Sequence, residues 1–195
     1  MLSPAEIFGV LSTGTVFVSR FFYFKSVYKH GAKPHAFSWL IWGCISAVGF
    51  AAQVTEGAGP GSWARGFACA TCFLLVAIGY RRGDRSYTRG DWITLAVSLS
   101  AVPLWILTKT PLWSVILVCL IDTIGYLPTV RKAWIRPHEE PAAGYAWFAI
   151  GALMSLFAIE NYTPSTWLYP VVMVLSNSSM TAFLWHRRRQ KTAVA

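Results

Sequence analysis

The sequence predicts an all-α integral membrane protein with seven transmembrane helices, laid out as three helices, one connector and three helices. Three observations lead there. Charged residues are only 13% of the 195 and hydrophobic ones 55%, where an ordinary soluble domain carries about 25% charged residues. Seven apolar segments are each long enough to cross a hydrocarbon core of ~30 Å, which takes about 20 residues. The chain also echoes itself. Residues 23–35 read YFKSVYKHGAKPH and residues 126–138 read YLPTVRKAWIRPH. Without a gap, Tyr23 falls on Tyr126, Val27 on Val130, Lys29 on Lys132, Lys33 on Arg136, Pro34 on Pro137 and His35 on His138. After extra residues in the second copy, FSWLIWG (37–43) meets YAWFAIG (145–151), with Trp39 on Trp147 and Gly43 on Gly151. Ser62-Trp63 and Thr166-Trp167 carry the echo further. The pattern reads as an internal repeat of three helices.

In chain order the expected spans are 5–27, 37–54, 62–80, 91–108, 111–130, 144–160 and 165–185. The first repeat with its loop occupies 1–90, the connector 91–109, and the second repeat with its tail 110–195. Three is odd, so direct fusion would invert the second copy. The unpaired fourth span restores the orientation and leaves two parallel repeats. No basic stretch precedes the first apolar run, so that helix itself is expected to direct insertion.

The net charge of +9 raises the question of nucleic acid, and its distribution answers it. Lys25, Lys29 and Lys33, then Arg81, Arg82, Arg85 and Arg89, then Arg131, Lys132 and Arg136, and finally the tail from Arg187 to Lys191 all fall on one side. The other side holds Arg65 and Lys109. The positive-inside rule puts the C-terminus in the cytoplasm and the N-terminus outside, in the inner (plasma) membrane. Orientation explains the charge, so anionic lipid head groups are the expected partners and nucleic acid is not. Trp39, Trp42, Trp134 and Trp147 are expected as cytoplasmic anchors, and Trp63, Trp105, Trp113 and Trp167 as outer ones. Cys44, Cys69, Cys72 and Cys119 all lie in apolar runs and read as packing residues, Cys69-x-x-Cys72 included. Gly43, Gly49 and Gly151 read as close-packing positions between helices.

Asp122 is the sharpest polar signal. It sits mid-helix between VILVCLI and TIGYL, where a carboxylate costs roughly 2.5–3.5 kcal/mol and must face protein or water. It is either a substrate contact, a proton-titrating group, or a structural partner for a cation. Arg20 is the obvious cation. The repeat sets Ser19 on Asp122 and Arg20 on Thr123, so Arg20 either pairs with Asp122 through two parallel hydrogen bonds or snorkels to the interface. Asn177 and Ser178 lie mid-way along the seventh span and bond either a neighbouring helix or a polar substrate. Glu160-Asn161 reads as a solvated cap closing the sixth span.

The layout, with Tyr126 to Arg131 and the following Lys132, resembles the SWEET and PQ-loop superfamily of small-solute transporters. The resemblance covers essentially the whole chain by architecture. It implies a hinge at Pro128, near the cytoplasmic end of the fifth helix, flanked by Tyr126 with Tyr23 as its counterpart. Thr129 stands where the family carries glutamine, and Lys25-Ser26 lacks the proline in the first copy, so bending is expected at Pro128 only. It also implies a substrate-facing polar residue midway along the third helix of each half, here Asn177 and Thr71.

The expected function is a carrier of a small polar solute working by alternating access, with no cofactor and with a homo-oligomer left open. The abundant aromatic residues suit a sugar or another ring-bearing solute through stacking. The alternative is a non-transporting receptor or membrane assembly partner. A retinal-binding reading lacks its lysine in the seventh helix. One mid-membrane carboxylate, with no histidine or metal spacing beside it, gives an enzyme too few groups.

Overall fold

The computed structural model describes residues 2–29, 34, 36–82, 89–135, 137 and 142–192, with the side chains of 22, 26, 82, 91, 125–129, 131, 132, 191 and 192 left outside that description. The helices are α1 (Pro4–Lys29), α2 (Ala36–Thr55), α3 (Trp63–Arg82), α4 (Arg89–Leu99), α5 (Ala101–Thr108), α6 (Pro111–Ile135), α7 (Ala142–Phe157) and α8 (Pro164–Thr192). A short 3-10 turn, Gly59–Ser62, precedes α3. Among the described residues there is no strand.

Local chemistry explains most of the boundaries. At the start of α1, Glu6 N–H donates to Ser3 Oγ at 3.2 Å and Ser3 N–H to Glu6 Oε2 at 2.7 Å. This is a capping box with proline at the first helical position. The start of α8 repeats the logic: Thr163 N–H donates to Thr166 Oγ1 at 2.9 Å, with Pro164 next. The expected fourth span is broken at Ser100 into α4 and α5. Pro103 lacks an N–H and its ring crowds the carbonyl four residues back, that of Leu99, where α4 ends.

Among the described residues, four helical stretches are long and apolar enough to cross a membrane: Pro4–Lys29, Ala36–Thr55, Gly59–Arg81 and Pro164–Gln190. Three further apolar helices are shorter: Trp92–Thr108, Pro111–Ile124 and Ala142–Phe157. The sixth expected span ends at Phe157, so Glu160 and Asn161 lie in the loop beyond rather than capping the helix. The seventh runs on to Thr192, so part of the expected basic tail is helical. Large apolar side chains stand outward, with Leu107 80% and Ile106 71% exposed, which suits a lipid-facing surface. The all-helical build and these apolar helices are the features of a helical membrane protein.

The packing has a definite order. α3 packs against both α1 and α2, and α8 packs against both α6 and α7. Between these triplets α1 packs on α7 and α2 on α6, while α4 and α5 lie against α2 and α6. Small residues set the close approaches. At Gly151 an added Cβ would collide with Thr15 of α1, and Ser12 Oγ donates to the Gly151 carbonyl at 2.8 Å. At Gly43 it would stand 3.2 Å from the Phe73 ring of α3. The close-packing role expected of these glycines is what the structure shows.

One end of the bundle is tied shut. It carries the start of α1 and the loops before α3 and α8. Glu160 N–H donates to the Ala58 carbonyl at 3.2 Å, and Asn161 Nδ2 to the Glu56 carbonyl at 2.9 Å. Gly57 and Gly59 have φ of 72° and 57°, a left-handed backbone that glycine adopts without penalty. Ala58, Ala158 and Ile159 are buried where the loops meet. At the opposite end, Arg187 Nη2 donates to the Trp134 carbonyl at 2.9 Å, tying α8 to α6.

Candidate functional site

Arg65 anchors the first polar centre. It lies two residues into α3, and the sequence counted it with Lys109 on the less basic side of the membrane. In the structure Arg65 is buried. Its side chain turns inward between the triplets because Gly49 of α2 leaves room for it. A Cβ there would stand 2.7 Å from Arg65 Nη1. The guanidinium carbon lies 3.1 Å from the centroid of the Tyr169 ring on α8. Tyr169 Oη in turn donates to Asp122 Oδ2 on α6 at 3.4 Å. A cation, an aromatic face, a hydroxyl and a carboxylate thus run in series across α3, α8 and α6.

Gln53, one turn beyond Gly49 on α2, adds a second link between the triplets. Pro170 lies inside α8 and has no N–H to give the Thr166 carbonyl four residues back. Gln53 Nε2 takes that place, donating to Thr166 O at 3.0 Å. Gln53 Oε1 is sealed from solvent without a partner.

Arg20 forms the second centre, and not with Asp122. Its Nε donates to Thr71 Oγ1 at 3.2 Å and its Nη2 to Cys72 Sγ at 3.6 Å. The guanidinium carbon is 4.8 Å from the Trp39 ring centroid and 5.7 Å from that of Phe148. Trp39 Nε1 donates to Tyr23 Oη at 3.3 Å, and the two rings meet edge to face at 4.9 Å. Trp39 is therefore buried beside a cation rather than anchored in the interface, whereas its repeat counterpart Trp147 is exposed. Of the candidate site residues, Arg20 and Thr71 are thus in direct contact. Tyr23 joins them through Trp39.

The remaining candidates do not join these centres. Asn177 is buried, but its Nδ2 donates to Met173 O at 2.9 Å within its own helix. Ser178 is exposed, a turn from the exposed Leu175. Tyr126 and Pro128 fall within α6, and their side chains lie outside the described residues. Among the described residues, no group of three His, Cys, Asp or Glu could hold a metal ion.

Sequence reasoning missed Arg65, Tyr169 and Gln53. A usable signal existed for the first two. Extending the match of Trp63 with Trp167 by two positions sets Arg65 on Tyr169, the very residues that meet. No family model, no curated protein and no solved structure matches this chain.

Proposed function

We propose that the chain is a SWEET-like carrier that moves a small polar solute by alternating access between two parallel three-helix repeats. Its seven helices cross the inner membrane with the N-terminus outside and the C-terminus in the cytoplasm. The order of packing supports the repeat. Exchanging α1 with α6, α2 with α7 and α3 with α8 maps the main contacts onto themselves. α3 and α8 become equivalent middle helices, and α1 on α7 becomes α6 on α2. The α4–α5 pair has no counterpart and serves as the connector.

The observation that carries the reading is the series Arg65–Tyr169–Asp122. It sets opposite charges on different triplets, joined through one aromatic side chain. Buried ionisable groups are costly in a membrane and mark solute or proton pathways. Relative motion of the triplets would make and break this series. The tied loop end then corresponds to a closed outer side.

The test is uptake into liposomes holding the purified chain, over a panel of sugars, nucleosides and small acids. Uptake of at least one solute is expected, and its loss in a well-folded Asp122→Asn variant. No transport of any panel member would overturn the carrier.

A further inference from the structure

We propose that the Arg20 centre binds a small organic monocarboxylate, held by the free edge of the guanidinium between Trp39 and Phe148. This names the substrate class of the proposed carrier and rests on that reading for its role in transport.

Charge points to an anion. The described apolar helices hold two buried guanidiniums, Arg20 and Arg65. Asp122 faces Arg65 through Tyr169. Arg20 has no carboxylate within bonding distance among the described residues. A cation at membrane depth is retained where it faces a partner or a water-filled path, and no acid among the described residues fills that role here.

The donors point the same way. Nε is occupied by Thr71 and one Nη2 proton by the weakly accepting Cys72 sulfur. The other three N–H groups have no partner among the described residues. The buried nitrogen and oxygen atoms that are both sealed and unpartnered are Gln53 Oε1, Thr163 Oγ1 and Arg187 Nε. Arg20 Nη1 is not among them. The end edge of a guanidinium offers two parallel N–H groups that match a carboxylate.

The walls select among anions. Trp39 and Phe148 flank the guanidinium, and aromatic faces favour an organic body over a heavily hydrated inorganic dianion. One positive charge without an acid beside it among the described residues also calls for one negative charge. The position is suited to a carrier: Arg20 is on α1 and Phe148 on α7, the helices that meet across the boundary between the triplets.

The experiment uses the full chain in detergent and in liposomes, with benzoate, acetate, benzamide and sulfate as probes. Benzoate should raise the thermal midpoint and quench tryptophan fluorescence, and neutral benzamide should do neither. Arg20→Lys keeps the charge but loses the fork, and should weaken benzoate at least tenfold. If that variant does not fold, Phe148→Leu should weaken benzoate at least threefold and leave acetate unchanged. Equal binding of benzamide, sulfate binding as tight as benzoate, or no effect of either variant would overturn the proposal. Benzoate binding without uptake of any solute would refute the carrier and leave the site standing. Uptake of a neutral sugar without benzoate binding would do the reverse.

Discussion

Arg65 and Tyr169 each stand two residues after a matching tryptophan, Trp63 and Trp167, and touch each other, the guanidinium carbon 3.1 Å from the ring centroid. In the pseudo-twofold assembly we propose, equivalent residues meet only close to the axis, so this contact would lie at it. The two matched positions differ, a cation at one and an aromatic hydroxyl at the other, with Asp122 beyond it.

Removing either charge should strand the other. Arg65→Gln and Asp122→Asn are each expected to destabilise the fold, with an upper scale of roughly 2.5–3.5 kcal/mol for the charge left at membrane depth. The double variant should be more stable than the worse single one. Thermal unfolding of all four proteins checks this, and strictly additive losses would rule out coupling.

Gly49→Ala should act through Arg65. The new methyl group falls on the guanidinium, so a loss of about 1–3 kcal/mol is expected, as for overpacking. In an Arg65→Gln background the shorter side chain relieves the clash, and most of the loss should vanish in the same unfolding assay.

The proline of α8 and the glutamine of α2 form a matched pair. Gln53→Leu should cost about 1–3 kcal/mol, because it strands the buried Thr166 carbonyl. Replacing Pro170 by alanine restores a backbone donor to that carbonyl, so Gln53→Leu should cost less in the Pro170→Ala protein. Equal costs in both backgrounds would sever the link.

Gly151→Ala should push α1 from α7. Its methyl group meets Thr15, and Ser12 would lose its 2.8 Å bond to the carbonyl. We expect a loss of about 1–3 kcal/mol, partly recovered by Thr15→Ala, read again as a shift of the unfolding midpoint.

The loop tie can be made covalent. A Cβ built on Gly57 lies 3.6 Å from Asn161 Cβ, within the range of about 3.5–4.5 Å that disulfides use. Gly57→Cys with Asn161→Cys should cross-link under oxidation, despite roughly 1–2 kcal/mol of backbone strain at the positive φ. Uptake should stop when oxidised and return on reduction. Undiminished uptake by the cross-linked protein would mean that this end does not open.

The helices were legible because hydrophobic runs are local, and each expected span has a helix in the structure. The break at Ser100 was missed by counting apolar residues alone, although Pro103 announces it. Asp122 stood out because a carboxylate in an apolar run has no bland local reading. Its surroundings did not. Arg20 lies close to Asp122 in the repeat alignment, yet bonds Thr71. Arg65 lies next to a tryptophan at a helix start and reads as interfacial. Only the empty volume beside Gly49 shows that the side chain turns inward. Trp39 and Trp147 share one motif, and burial separates them. Such differences come from which helices pack, information that no single stretch of sequence holds.

In the proposed carrier, the two hydrogen bonds that join the loops before α3 and α8 would act as a fulcrum. A helix of 25 residues such as α6 is about 37 Å long at 1.5 Å per residue. Tilting such a rod by about 10° around a pinned end moves its free end by ~6 Å and its middle by ~3 Å. The smaller movement is enough to break a hydrogen bond at mid-depth, and the larger admits a small molecule at the free end. A leverage of about two, fixed by where the chain is pinned, would let one rigid rotation release a ligand's contacts while opening its exit.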